Sequence, residues 1–298
     1  MTWLILALLA AFFTSMTTIL AKIGIKDVNS NFATAYRTLV VIVCALIMCF
    51  ITGSLTTIAN LTWKNWLFLC LSGLATGCSW LCYYKALKLG DVNKVAPIDK
   101  SSFILSSILF LIFFFDDTTK GGNPLTIAML FVSISLIGAG TFLMITPKEK
   151  TESVSKLWLL FAFLSAVFAA IVSLFVKIGL KDMKSDLGTL IRTIIVFIFA
   201  STIVLCKNEY VGAKKITKKS WLFLTLSGIA TGGAWLCEYT VLNMENVNPV
   251  AVSSIGKLAI LLTMGFSFVV LKEKFTKKSL LGLLLLTLGI VVIIIFSI

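Results

Sequence analysis

The sequence predicts an all-α integral membrane protein of ten spanning helices, built as two inverted five-helix repeats. Three observations carry this: an apolar composition, apolar runs of about twenty residues, and a self-match at a shift of 155 residues. Hydrophobic residues make up 59% of the 298-residue chain and charged ones only 13%, too few charges to clothe a water-soluble surface. The run length matches roughly 30 Å of hydrocarbon at about 1.5 Å rise per residue. The runs are too long for barrel strands and lack their alternation, so helices are indicated.

The spans fall at about 1–21, 32–52, 65–84, 94–115, 124–146, 157–176, 187–206, 220–240, 249–271 and 279–297. The shift of 155 aligns Lys22-Ile23-Gly24 with Lys177-Ile178-Gly179, and Arg37-Thr38 with Arg192-Thr193. Its longest block sets Trp66–Cys82 against Trp221–Cys237, with Trp-Leu-Phe-Leu, Leu-Ser-Gly, Ala-Thr-Gly and Trp-Leu-Cys recurring without a gap. Matched leucines arise by chance in apolar helices; matched tryptophans, glycines and arginines in one register indicate duplication. The expected organisation is a first repeat at 1–147, a charged linker at 148–156 and a second repeat at 157–298. Five spans per repeat make the second copy enter the membrane from the opposite side, an arrangement that places sites near the midplane between the halves.

Taken in order, the first and sixth spans end in Lys22 and Lys177, read as interface anchors. The first span lacks the basic leader of a signal peptide and recurs as the sixth, so it is expected to stay in the mature protein. The second and seventh carry Arg37 and Arg192 about one and a half turns inside, where each either reaches headgroups and carbonyls or touches a gate or substrate. The third carries Gly73, Gly77, Trp80 and Tyr84 on one face, and the eighth repeats it with Gly228, Gly232, Trp235 and Tyr239. The glycines form a small-xxx-small surface for close helix packing. The aromatic residues either line a central cavity, where rings stack on substrate, or belong to interface belts.

The fourth and ninth spans start at helix-opening pairs, Asn93 with Pro97 and Asn248 with Pro249. Counting from those starts puts Lys100 about 10 Å and Lys257 about 13 Å below the interface. A charge near the midplane costs at least about 2.5–3.5 kcal/mol and usually faces a cavity or partner. The alternative is that each lysine snorkels to water along its own helix. A two-residue slip pairs the lysines, and also Asp99 with Gly256 and Asp116 with Glu273. The fifth and tenth spans close the repeats. Glu238, opposite Tyr83 in the alignment, breaks the symmetry; it pairs with a lysine, accepts a coupling proton, or touches interfacial water.

The formal charge of +13 comes from lysines in short loops, the pattern of topology determinants rather than of a nucleic-acid surface. Loops after odd-numbered spans hold seventeen lysines, from Lys22 to Lys278, against five on the other face. The positive-inside rule then puts both termini outside the cell (plasma or inner) membrane. All seven cysteines fall within apolar spans and there is no histidine, so neither a disulfide framework nor a metal site is expected. No cofactor and no catalytic cluster is indicated.

The five-plus-five organisation, the basic residue near the start of the second span and the glycine-rich third span resemble the EamA-like branch of the drug/metabolite transporter superfamily. Val95-Ala96-Pro97-Ile98-Asp99-Lys100-Ser101-Ser102 looks like the start of that branch's fourth helix, and Glu273 like the acid that closes its ninth. The resemblance implies a transporter of small metabolites, and places both termini inside, against the lysine count. The residues suggest a secondary transporter of a small polar metabolite with a negative group, an amino acid or organic anion, moved by alternating access. No Gly-Lys-Ser/Thr nucleotide loop is present, so a coupling proton or a counter-substrate would supply the energy. Substrate candidates are Lys100, Lys257, Trp80, Trp235, Tyr84 and Tyr239; gate or coupling candidates are Arg37, Arg192, Glu238 and Asp99. Alternatives are export of hydrophobic or cationic drugs, and a lipid-linked substrate flippase. Partners are the bilayer and the small-molecule cargo, with no nucleic acid, in a monomer or homodimer.

Overall fold

The computed structural model describes residues 2–25, 28–89, 95, 98–99, 101–119, 121–144, 157–210, 216–271 and 276–297. The 148–156 linker, Lys100 and Glu273 lie outside the described residues, as does the side chain of Tyr84.

The first repeat contains α1 (Thr2–Gly24), α2 (Ser30–Thr52), a 3-10 segment (Ser54–Asn60), α3 (Trp63–Leu89), α4 (Ser102–Phe113), α5 (Phe115–Thr119) and α6 (Pro124–Met144). The second contains α7 (Leu157–Gly179), α8 (Ser185–Cys206), α9 (Lys218–Leu242), α10 (Pro249–Gly256), α11 (Leu258–Leu271) and α12 (Lys277–Ser297). Among the described residues eight helices are long and apolar enough to cross a membrane, and the fourth and ninth spans appear as shorter apolar helices. Large apolar side chains such as Phe50, Phe142, Leu205 and Ile295 point outward, 62% or more exposed, which suits hydrocarbon and not water.

Helix ends follow from local chemistry. Asn29 caps α2 by accepting from the Asn31 amide at 2.8 Å, and Gly53 ends that helix at φ 65°, a left-handed position open to glycine. Asn248 accepts from the amides of Val250 and Ala251 while Pro249 opens α10. Its amide nitrogen also donates to the Thr118 carbonyl at 2.8 Å, tying the ninth span to the end of the fourth.

The sequence predicts an unbroken ninth span, and the structure interrupts it at Lys257. There the backbone makes two tightened i→i−3 bonds, Lys257 to Ser254 and Ile260 to Lys257, beside Gly256, a weak helix former. The fourth span has the same device one residue from register, with Ser101 bonded to Ile98 and Ile104 to Ser101.

The two repeats interlock rather than sitting side by side. α1 packs along α9 and, by symmetry, α7 along α3; α2 lies against α8 and α9, and α8 against α2 and α3; α6 crosses α12. At that last crossing a Cβ on Gly140 would lie 2.5 Å from the Gly282 carbonyl oxygen, so only glycine permits the approach. One apolar core joins the fourth, fifth, ninth and tenth spans around Phe103, Phe110, Leu286 and Ile290. A second joins α2, α3, α7, α8 and α9 around Leu69, Leu180, Leu187 and Tyr239. Counting crossings, the start of α1 and the ends of α2, α9 and α12 share one face, called here the terminal face; the starts of α2 and α9 and the end of α8 share the opposite face.

Candidate functional site

The second core surrounds the two arginines of the second and seventh spans. Arg192 is 2% exposed and donates from Nη2 to the Thr76 hydroxyl at 2.5 Å. Arg37, half-buried, donates from Nη2 to the Thr231 hydroxyl at 2.9 Å. Thr76 and Thr231 are 155 residues apart, as the arginines are. Each repeat thus reaches across to the third helix of the other. Both threonines pass their own proton to a carbonyl four residues back, Ser72 and Ser227, at 2.8 Å, which leaves an oxygen lone pair to receive the guanidinium.

Glycines set this approach. A Cβ on Gly73 would lie 3.2 Å from the Arg192 carbonyl oxygen, and one on Gly228 3.1 Å from that of Arg37. A turn further on, Gly77 faces the ring of Phe199 and Gly232 the side chain of Cys44, again equivalent positions. Thr76 lies thirteen residues into the 27-residue α3, roughly 20 Å from its start and near the midplane.

Beside the arginines lies an aromatic stack. Trp80 and Trp235 stack with ring centres 5.9 Å apart and planes 24° from parallel. Residues that are each other's counterparts meet only on the axis relating the repeats, so this stack marks that axis. Trp235 continues onto Tyr239 at 6.1 Å. Arg192 lies over both rings, 4.6 Å and 5.1 Å from their centres, and its Nη1 donates to the Tyr239 hydroxyl. Cation–π contacts of this kind contribute about 0.5–2 kcal/mol each when desolvated.

Both arginines keep a buried Nε without a hydrogen-bond partner, and among the described residues no carboxylate lies within ion-pair distance of either guanidinium. Two crevices meet here. One is lined by Asn31, Thr34, Gly77, Trp80 and Phe199 among others; the second by Thr34, Arg37, Thr38, Val41, Trp80 and Thr231; their volumes of about 20 and 10 Å³ hold about one water molecule each. Asn31 stands at the start of α2, so the pair leads from the opposite face toward Arg37, about 9 Å deeper along the helix. At the matching place in the second repeat, Thr189 and Arg192 are 0% and 2% exposed. The Arg37 half of the site borders a narrow crevice and the Arg192 half is packed shut.

Other residues singled out in the sequence lie elsewhere. Lys257 has its Nζ 5.8 Å from the centre of the Phe103 ring, in the layer of fourth and ninth spans. Asp99 accepts from Ser165 at 2.6 Å, and Ser79 contacts Ser165 in turn. Glu238 is half-buried beside Tyr239. Lys177, read from the sequence as a plain anchor, donates to the Leu242 carbonyl at 2.8 Å and stands 4.0 Å from Asp117. The two threonines received no role in the sequence reading, although the recurring Ala-Thr-Gly contains both.

This architecture, two five-span units interlocked about a midplane axis, defines a polytopic α-helical membrane transporter fold. The family model for the EamA-like transporter family matches residues 1–147 and again 156–295, and the chain belongs to that family. It is 39% identical over 142 residues to an uncharacterized transporter in the cobO 3' region of a Sinorhizobium species, a match covering 48% of this chain and 95% of that protein. A solved crystal structure superposes over 97% of this chain and 95% of its own with a TM-score of 0.69 at 14% identity, a likeness of fold.

Proposed function

We propose that this membrane transporter is a secondary active carrier of a small polar metabolite bearing a negative group, an amino acid or organic anion, working by alternating access around the Arg37–Trp80–Trp235–Arg192 cluster. The observation that carries the reading is the pair of guanidiniums, Arg192 buried and Arg37 half-buried, each with an unmet buried Nε donor and, among the described residues, no carboxylate within ion-pair distance. A buried charge without a counter-charge is costly, and a carboxylate in the crevice beside Arg37 supplies one. The stacked tryptophans give the cargo a flat apolar surface. The aromatic faces nearest Arg192 already hold that cation, which disfavours a cationic cargo there. A proton gradient or a counter-substrate supplies the drive.

The test is uptake of labelled amino acids and organic anions into proteoliposomes, with and without a proton gradient. Saturable flux of an anionic compound, lost in R37Q, is expected. Flux confined to cationic or hydrophobic compounds, or no saturable flux for any compound, overturns the reading.

A further inference from the structure

α2 and α8 are fastened to each other at both ends, and the two fastenings occupy equivalent positions. At the terminal face, Asp186 in the first turn of α8 accepts from Thr52 and Ser54, which end α2 and open the 3-10 segment. Lys184 adds a bond to the Thr52 carbonyl at 2.9 Å. At the opposite face, Asn31 in the first turn of α2 donates to Glu209, just beyond α8, at 2.7 Å. A shift of 155 carries Asn31 onto Asp186 and Ser54 onto Glu209. Donor and acceptor have exchanged places: the acid is on the helix at one face and on the loop at the other.

We infer that these two fastenings are the gates of the transporter, Asn31–Glu209 closing the opposite face and Asp186–Ser54/Thr52 the terminal face. The inference rests on the alternating-access reading. Three observations meet in it. Asn31 lines the mouth of the crevice that runs to Trp80 and Arg37, so releasing its bond to Glu209 uncovers the site. Asp186 is 8% exposed and Ser54 0%, a tighter closure over the half of the site that is packed shut. α2 and α8 carry the two arginines, so a rocking of these helices that parts one fastening moves both guanidiniums. Both fastenings are closed together here, the occluded arrangement through which a carrier passes between its two open forms. The chemical difference makes the gates unequal: a carboxylate accepting two hydroxyls, one of them buried, is the firmer, and one part-buried amide–carboxylate bond is the weaker.

Thr34 and Thr189 are equivalent positions one turn inside the two gates, 6% and 0% exposed. Single cysteines there, T34C and T189C, in a chain whose seven native cysteines are replaced by alanine, report each side through their rate of reaction with a membrane-impermeant maleimide in liposomes. E209A is expected to speed labelling of T34C about fivefold, the factor that loss of one ordinary hydrogen bond supplies, and to slow that of T189C. D186A is expected to do the reverse. E209Q and D186N keep an acceptor oxygen and should move the rates in the same directions by less; they carry the test if the alanine variants misassemble. Rates that rise together at both positions, or that do not change, overturn the proposal. Labelling needs no substrate, so opposite shifts in a protein without saturable flux would leave the gates standing while removing the cargo reading.

Discussion

Arg192 donates to Thr76 at 2.5 Å across the boundary between the repeats, and its counterpart Arg37 does the same to Thr231 at 2.9 Å. Similar bonds, unequal surroundings: Arg192 is enclosed by Trp235 and Tyr239, while Arg37 borders a crevice. The duplication therefore supplies two copies of one arginine–threonine element, of which one is enclosed by aromatic rings and the other borders a crevice.

That inequality separates the two arginines experimentally. R192Q removes bonds to Thr76 and Tyr239 and two ring contacts, so a loss of roughly 2–4 kcal/mol is expected from a broken buried network. R37Q removes one bond at a half-buried position and should cost under about 1.5 kcal/mol. Thermal unfolding in detergent is the check. Uptake should fall in both, with R37Q the cleaner functional loss because the fold survives it.

The threonines provide a second measurement. T76V keeps the shape and removes the acceptor, so the guanidinium of Arg192 is left with an unmet buried donor at about 1–3 kcal/mol. Once Arg192 is already glutamine, T76V should cost much less. A double-mutant cycle on these two residues is expected to give a coupling energy of about 1 kcal/mol or more, whereas the same cycle between T76V and R37Q should sum.

Much of this arrangement was legible in the sequence, and for physical reasons. A charge in an apolar span is a cost without visible return, so Arg37 and Arg192 stood out, and the repeat paired them. Thr76 and Thr231 gave no such signal, because a threonine in a membrane helix satisfies its own hydroxyl on the carbonyl four residues back. Lys177 was hidden differently: at a span end it has the position of an anchor, and its partners Leu242 and Asp117 lie 65 and 60 residues away. The interruption at Lys257 was missed because a single Gly256 in an apolar run does not by itself end a helix. The fastenings become visible only where α2 and α8 lie side by side, since polar residues at helix starts, as Asn31 and Asp186 are, carry no signal of a partner 178 or 134 residues away.

Glycines at the helix crossings should divide sharply. G140A places a methyl group 2.5 Å from the Gly282 carbonyl oxygen and 2.6 Å from the Leu286 amide, backbone on both counts, so α6 and α12 must separate. G256A meets nothing within 4 Å and gains helix propensity of up to about 1 kcal/mol. Melting temperature should fall by several degrees in the first and hold or rise in the second, each change read in the same detergent.

Lys257 supplies the last test, because depth alone made it a cargo candidate. Its Nζ lies 5.8 Å from the centre of the Phe103 ring, in the layer of fourth and ninth spans, and the Trp80–Trp235 stack is built by α3 and α9. K257Q should therefore lower uptake by less than about threefold at substrate well below KM, well short of the tenfold that loss of one charge-assisted contact to cargo brings. A rise in KM of tenfold or more with kcat unchanged would place its ammonium group on the substrate, and the cavity would then extend from the axial stack to the interruption of the ninth span.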